Sequence, residues 1–212
     1  MTIVRRVLFL WMVLATALAA QDRSESDPQA VYDNAKADFA ANNMQASADG
    51  FDRLVELRPD LAAGLWERGI ALYYAERYDA CIAQFESSHR MVNPNDVENA
   101  AWHFLCVAQS KSPERAQRAL LPVGLDSRVP MRQIYELYSG AITPDVVLAA
   151  ADGHPSAVFF AHFYVGLYAD VFGDRETALE HMRAAVDDDY PRPDSFMRTI
   201  GVVHLARLES GQ

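Results

Sequence analysis

The chain has 212 residues, half of them hydrophobic, with 19 lysines and arginines against 29 aspartates and glutamates and a formal charge of −10. That length supports one continuous core or a short solenoid, and the acidic balance argues against nucleic acid and anionic membrane surfaces as general partners. Two cysteines, Cys81 and Cys106, are too few for a disulfide-dense secreted scaffold.

Residues 1–20, MTIVRRVLFLWMVLATALAA, combine a basic start at Arg5 and Arg6, an apolar run from Val7 and a small-residue cleavage site at Ala17-Leu18-Ala19. The run from Val7 to Ala20 falls short of the ~20 residues that span a bilayer, so a signal peptide is expected and no membrane insertion after its removal. No cysteine follows the run, so lipid attachment of the bacterial lipoprotein kind is not expected. Without the two leader arginines the basic count falls from 19 to 17 against 29 acidic residues, a formal charge of −12. The mature protein is expected outside the cytoplasm, in the periplasm of a Gram-negative bacterium.

Residues 21–26 are polar and read as a flexible N-terminus; a helical domain is expected over 27–212. Asp27-Pro28 supplies an N-cap with proline at the first helical position. The helix continues through Val31, Ala35 and Phe39 to a break at Ala41-Asn42-Asn43. A second runs from Met44 through Phe51 and Leu54 to Arg58-Pro59. Residues 65–96 repeat this pair, with Gly69 where two helices must approach, a break near Ala75 to Tyr78, and Asn93-Pro94-Asn95 as the stop. Cys81, Phe85 and Ser88 follow Gly69 at offsets of twelve, sixteen and nineteen. Thirty-four residues earlier, Ala35, Ser47 and Phe51 hold the equivalent places.

Asp96 caps the next helix, whose apolar positions Val97, Ala100, Ala101, Phe104 and Leu105 follow helical spacing. A shorter helix begins at Ser112-Pro113 and is expected to reach Leu121. Pro122 to Pro130 is a loop, and two short helical pieces follow, from Met131 to Tyr138 and from Pro144 to Ala151. His154-Pro155 opens a long helix that Gly173-Asp174 breaks. Its partner places Ala178 and Met182 at offsets of twelve and sixteen from Gly166, the third clear recurrence. Pro191 and Pro193 end that unit, and a last helix from Asp194, with Phe196, Ile200, Val203 and Leu205, is expected to cover the exposed end of the array. No segment alternates β-formers with period two, so the fold class expected is all-α.

The small-small-aromatic offsets and the ~34-residue period resemble the tetratricopeptide repeat (TPR), with units at about 28–61, 62–95, a degenerate 96–129 and 159–192, and an irregular helical middle. Trp66-x-Arg68-Gly69, Gln84-Phe85, Asn93 to Asp96, Glu98 and Trp102-x-x-Leu105-Cys106 are similar to a subset of bacterial and plastid-lineage TPR proteins. Residues 162–174 are similar to the last repeats of envelope TPR lipoproteins that scaffold cell-wall hydrolases, which carry the lipid-modified cysteine absent here. The resemblance implies a superhelix whose first helices line a concave groove for a protein or peptide partner. At the groove positions stand Trp66, Ile70, Tyr73 and Tyr74 in one unit, and Phe160, Phe163, Leu167 and Asp170 in the last. Such aromatics suit a binding surface, and they equally suit packing between repeats. The resemblance also brings Cys81 and Cys106 onto packed helices, either as a disulfide in an oxidising compartment or as two buried thiols.

Arg68 departs from the pattern, since TPR units place leucine there. Three readings stand for it: a buried ion pair with Asp96 or Glu98 as candidate partners, a path to solvent past Trp66, or a clamp for a partner carboxylate. Catalytic signatures are missing: there is no G-x-S-x-G, S-x-x-K, phosphate loop or dinucleotide fingerprint. None of the six histidines forms a close ligand pair, although His162 and His181 are placed to meet across the last hairpin. Asp187-Asp188-Asp189 lacks the alternation of a calcium loop. Neither a metal nor a cofactor is implied. The function expected is therefore a protein- or peptide-binding scaffold in the cell envelope. The alternatives are an enzyme using Arg68, Glu98 and histidines such as His103, and a self-associating structural module.

Overall fold

The computed structural model describes residues 26–187 and 195–211. Residues 1–20, read above as a leader, residues 188 and 189 of the acidic run, and Pro191 and Pro193 lie outside the described residues. Those described residues are helical and contain no strand, as the missing period-two alternation requires. The helices are α1 (Pro28–Ala40), α2 (Met44–Leu57), α3 (Trp66–Tyr74), α4 (Tyr78–Met91), α5 (Val97–Ser110), α6 (Pro113–Arg118), α7 (Met131–Tyr138), α8 (Pro144–Ala151), α9 (Pro155–Val171), α10 (Arg175–Val186) and α11 (Ser195–Ser210). Two details differ from the sequence reading: α6 ends before Leu121, and a 3-10 helix at Pro59–Gly64 fills the α2–α3 connection.

Local chemistry sets the helix starts. Asp27 Oδ1 accepts from the Gln29 N–H at 3.1 Å and Asp96 Oδ1 from the Glu98 N–H at 3.1 Å, each relieving an orphan donor of a first turn. The hairpin turns share one geometry. Asn42, Glu76 and Gly173 all take positive φ, at 61°, 61° and 79°. In each turn the N–H before that residue reaches back four positions, its own N–H three, and the next N–H five, a helix stop of the Schellman type. Gly140, at φ 80°, makes the same stop between α7 and α8. The middle segment, expected to be irregular, therefore uses the same turn as the clear repeats.

Within each hairpin the recurring small residues allow close contact. A Cβ at Gly69 would stand 2.5 Å from Cζ and 2.6 Å from Cε2 of Phe85, and one at Gly166 would stand 2.9 Å from Met182 Cε. Phe85 is 1% exposed and stacked on Trp102, so it has no room to give. Gly69→Val is expected to cost roughly 2–3 kcal/mol through overpacking, measurable as a shift in the urea midpoint with unchanged m-value.

Cys81 of α4 and Cys106 of α5 form a disulfide, with Cα atoms 6.0 Å apart. Of the two alternatives left open by sequence, the bonded one is found. The bridge joins successive hairpins across 25 residues of chain. Cys81→Ala with Cys106→Ala is expected to lower unfolding stability by roughly 2–4 kcal/mol, and reductant should reproduce that loss in the wild type alone.

Helices adjacent in sequence pack together along most of the chain, with α7 set against α5 rather than α6, and the array then turns back on itself. α9 packs on α5 and α7, while α11 packs on α10 and on α1. Phe196 of α11 meets Phe39 of α1 at 5.3 Å and Trp66 of α3 at 5.8 Å between ring centroids. Tyr74 of α3 bonds His204 of α11 at 2.9 Å. Phe163 of α9 meets Trp102 of α5 at 6.3 Å. The first-helix faces of α1, α3 and α5 thus enclose the protein's own C-terminal helices. No helix among the described residues is long and apolar enough to cross a membrane.

Candidate functional site

Ring closure corrects the expected open groove. Ile70, Tyr73, Tyr74 and Phe163 are core residues, 0%, 6%, 5% and 0% exposed. An aromatic stripe of this size would be costly to leave in water, and helices tethered in the same chain cover it without the translational cost of a separate partner. Asp170 stays partly exposed, as do two aromatics of the predicted groove, Trp66 and Phe160.

Those two residues share a cavity of about 270 Å³ with Asp96, Glu98 and Arg128. Phe85, Asn99 and Trp102 lie deeper in its walls, and Met197 of α11 borders it. Asn99 is held in the wall by its amide nitrogen, which donates to the Phe85 carbonyl oxygen at 2.9 Å. Sequence reading singled out Trp66, Phe160, Asp96 and Glu98 separately, and the fold brings all four to one place.

Arg128 organises the polar side. Its Nε donates to Asp126 Oδ1 at 3.0 Å, its Nη2 to Asp126 Oδ2 at 2.7 Å and Asp96 Oδ1 at 3.0 Å, and its Nη1 to Glu98 Oε1. Glu98 Oε2 accepts from the Tyr164 hydroxyl at 2.8 Å. Burial pushes the Glu98 carboxyl above the usual carboxylate range, with Arg128 and Tyr164 pulling the other way. Burial also acts on Asp126, but the Arg128 hydrogen bonds outweigh it and hold that carboxyl low. The Arg128 guanidinium is raised chiefly by its Asp126 hydrogen bonds.

Arg128 and Asp126 were missed in the sequence because they sit in a loop without periodicity. The signal available was Gly124: a Cβ there would stand 2.2 Å from Asn95 Oδ1, so the loop is laid directly over the Asn93-Pro94-Asn95 turn beside Asp96.

Arg68 is an ion pair, with partners other than those expected. Its Nε donates to Asp52 Oδ1 of α2 at 2.7 Å and its Nη1 to Gln84 Oε1 of α4 at 2.7 Å. Asp96 and Glu98 are engaged by Arg128 instead. The Arg68 side chain is 21% exposed, so it is a partly buried ion pair. Asp52 also binds Arg77, which makes a small network joining α2, α3 and α4. His103 stands near Glu86, at 3.8 Å. Arg68, Glu98 and His103 therefore have separate partners.

A second polar cavity, about 220 Å³, lies between α3, α5, α9 and α11 and is bordered by Tyr73, Tyr74, Asp170, His204 and Arg207 among others. His162 and His181 do meet, Nδ1 to Nδ1 at 2.8 Å. Among the described residues no three His, Cys, Asp or Glu side chains are grouped so as to hold a metal ion. No protein-family model matches the chain.

Proposed function

We propose that this protein is an exported helical-repeat binding module of TPR type, which holds a protein or peptide partner in the cell envelope at the cavity between Trp66 and Phe160. The repeat reading is supported by equivalent hairpins at α1–α2, α3–α4 and α9–α10, which match in small residues, offsets and turn geometry. Export is supported by the leader pattern of residues 1–20 and agrees with a disulfide between Cys81 and Cys106.

The observation that carries the binding role is the convergence, in one partly open cavity, of Trp66, Phe160, Asp96 and Glu98 from three helices and a cap. Aromatic anchors beside a small polar set are the composition of an interface centre. The groove of an open repeat array is occupied here by α9 and α11, so the partner is held at a pocket rather than along a superhelix.

Trp66→Ala and Phe160→Ala test the assignment by capture from envelope extract, followed by affinity measurement with the captured protein. Each variant is expected to weaken binding by roughly 2 kcal/mol, the scale of an interface hot spot, and urea unfolding of the same variants separates that loss from any change in stability. Retention of every captured partner by both variants would remove the cavity as the binding place.

A further inference from the structure

Resting on that partner-binding reading, the geometry points to a basic side chain, lysine or arginine, as the group of the partner that enters the cavity. Trp66, Phe160 and Trp102 supply aromatic walls, and aromatic rings attract a cation, more strongly once water is excluded. Opposite them, three carboxylates, Asp96, Glu98 and Asp126, surround the single guanidinium of Arg128. The cluster carries excess negative charge, and Asp96 Oδ2 accepts no hydrogen bond among the described residues.

Arg128 is a poor receptor for an acidic partner. All three of its guanidinium nitrogens already donate to these acids, and an incoming carboxylate would meet three like charges. The acidic excess of the whole chain steers positively charged partners toward it. The cavity, about 270 Å³, is smaller than most whole-ligand sites and suits one side chain. A second observation points to a ligand: Trp102, 2% exposed, lines the same cavity, and its indole N–H has no hydrogen-bond acceptor. A polypeptide entering here brings carbonyl oxygens of the kind that donor lacks. Burial raises the Glu98 carboxyl and an arriving cation favours its charged form, so binding should strengthen as pH rises through that group's titration.

The test uses the full-length protein and three pentapeptides, Gly-Gly-X-Gly-Gly with lysine, norleucine or glutamate at the centre. The Trp66 and Trp102 indole resonances report binding. The lysine peptide is expected to shift both, with affinity about tenfold above the norleucine peptide, an advantage that shrinks with added salt. Glu98→Gln, and Asp96→Asn, which keeps the N-cap, should each bring the lysine peptide down to about the affinity of the norleucine peptide for the same variant. Equal binding of norleucine, or preference for glutamate, overturns the basic-group assignment while leaving the cavity as a partner site. Absence of any Trp66 shift with all three peptides overturns both. Binding of n-butylammonium as tightly as the lysine peptide overturns a polypeptide as the source of the cation.

Discussion

Trp102→Ala is expected to destabilise the protein by about 3–5 kcal/mol, the range for emptying a large buried aromatic site. Trp102 is 2% exposed and touches rings from three other helices. It packs edge-on to Tyr73 at 5.6 Å, stacks on Phe85 at 6.5 Å and meets Phe163 at 6.3 Å. Its removal loosens α3, α4 and α9 together, and the surrounding hairpins are too well packed to collapse into the space. Trp102→Phe separates volume from polarity. The indole N–H is buried without an acceptor, a condition that itself costs about 1–3 kcal/mol. Phenylalanine loses contact area but also removes that donor, so a net change within about 1 kcal/mol is expected. Urea unfolding of the two variants checks both values. An alanine variant within about 1 kcal/mol of wild type would mean that Trp102 does not bind these helices together.

Acidification is the second large effect. His204 is 4% exposed, with Nδ1 at 2.9 Å from the Tyr74 hydroxyl and Nε2 at 3.5 Å from Asp170 Oδ2. Burial, with a smaller contribution from Arg207, pushes its pKa down to about 3. The imidazole is therefore neutral in the fold, while the unfolded chain takes up a proton near the ordinary value of 6.5. Because the folded pKa is the lower one, the stabilisation is complete above about pH 6.5 and declines as pH falls toward about 3, at up to about 1.4 kcal/mol per pH unit. His103, His162 and His181 are shifted in the same direction, each first by burial, and add to the decline. Glu98 and Asp170, raised by burial, take up protons more readily in the fold and offset part of it. A net loss of about 2–3 kcal/mol between about pH 6.5 and 4.5 is expected, with little change above about pH 7. His204→Gln, which cannot titrate, should flatten the dependence. Urea midpoints across that range in both proteins decide the matter. Equal slopes would show that His204 does not carry the effect.

Much of the hairpin architecture was legible because it is local. The contacts of Gly69 with Phe85, or Gly166 with Met182, join residues sixteen apart in sequence, so they leave their mark on spacing. Glu76 shows the limit even there: a glutamate at φ 61° gives no turn signal by type, and only its alignment with Asn42 and Gly173 reveals the stop. Arg68 was rightly marked as an exception, because leucine is expected on that face. Its partner was misplaced because helical spacing does not tell whether a long side chain reaches back to Asp52 or forward to Asp96.

The amino-acid sequence by itself determined the all-helical class, the hairpin units, their caps and the close-approach residues, since each follows from periodicity, turn chemistry or side-chain size over a few turns. Only the tertiary structure decided that α11 returns to α1, that most of the expected groove is core, and that a loop arginine joins Asp96 and Glu98 beside Trp66 and Phe160. Such contacts link distant positions, 30 residues apart for Arg128 with Glu98 and 130 for Tyr74 with His204. They are selected by burial of a whole aromatic face and by charge pairing, neither of which leaves a repeating pattern along the chain.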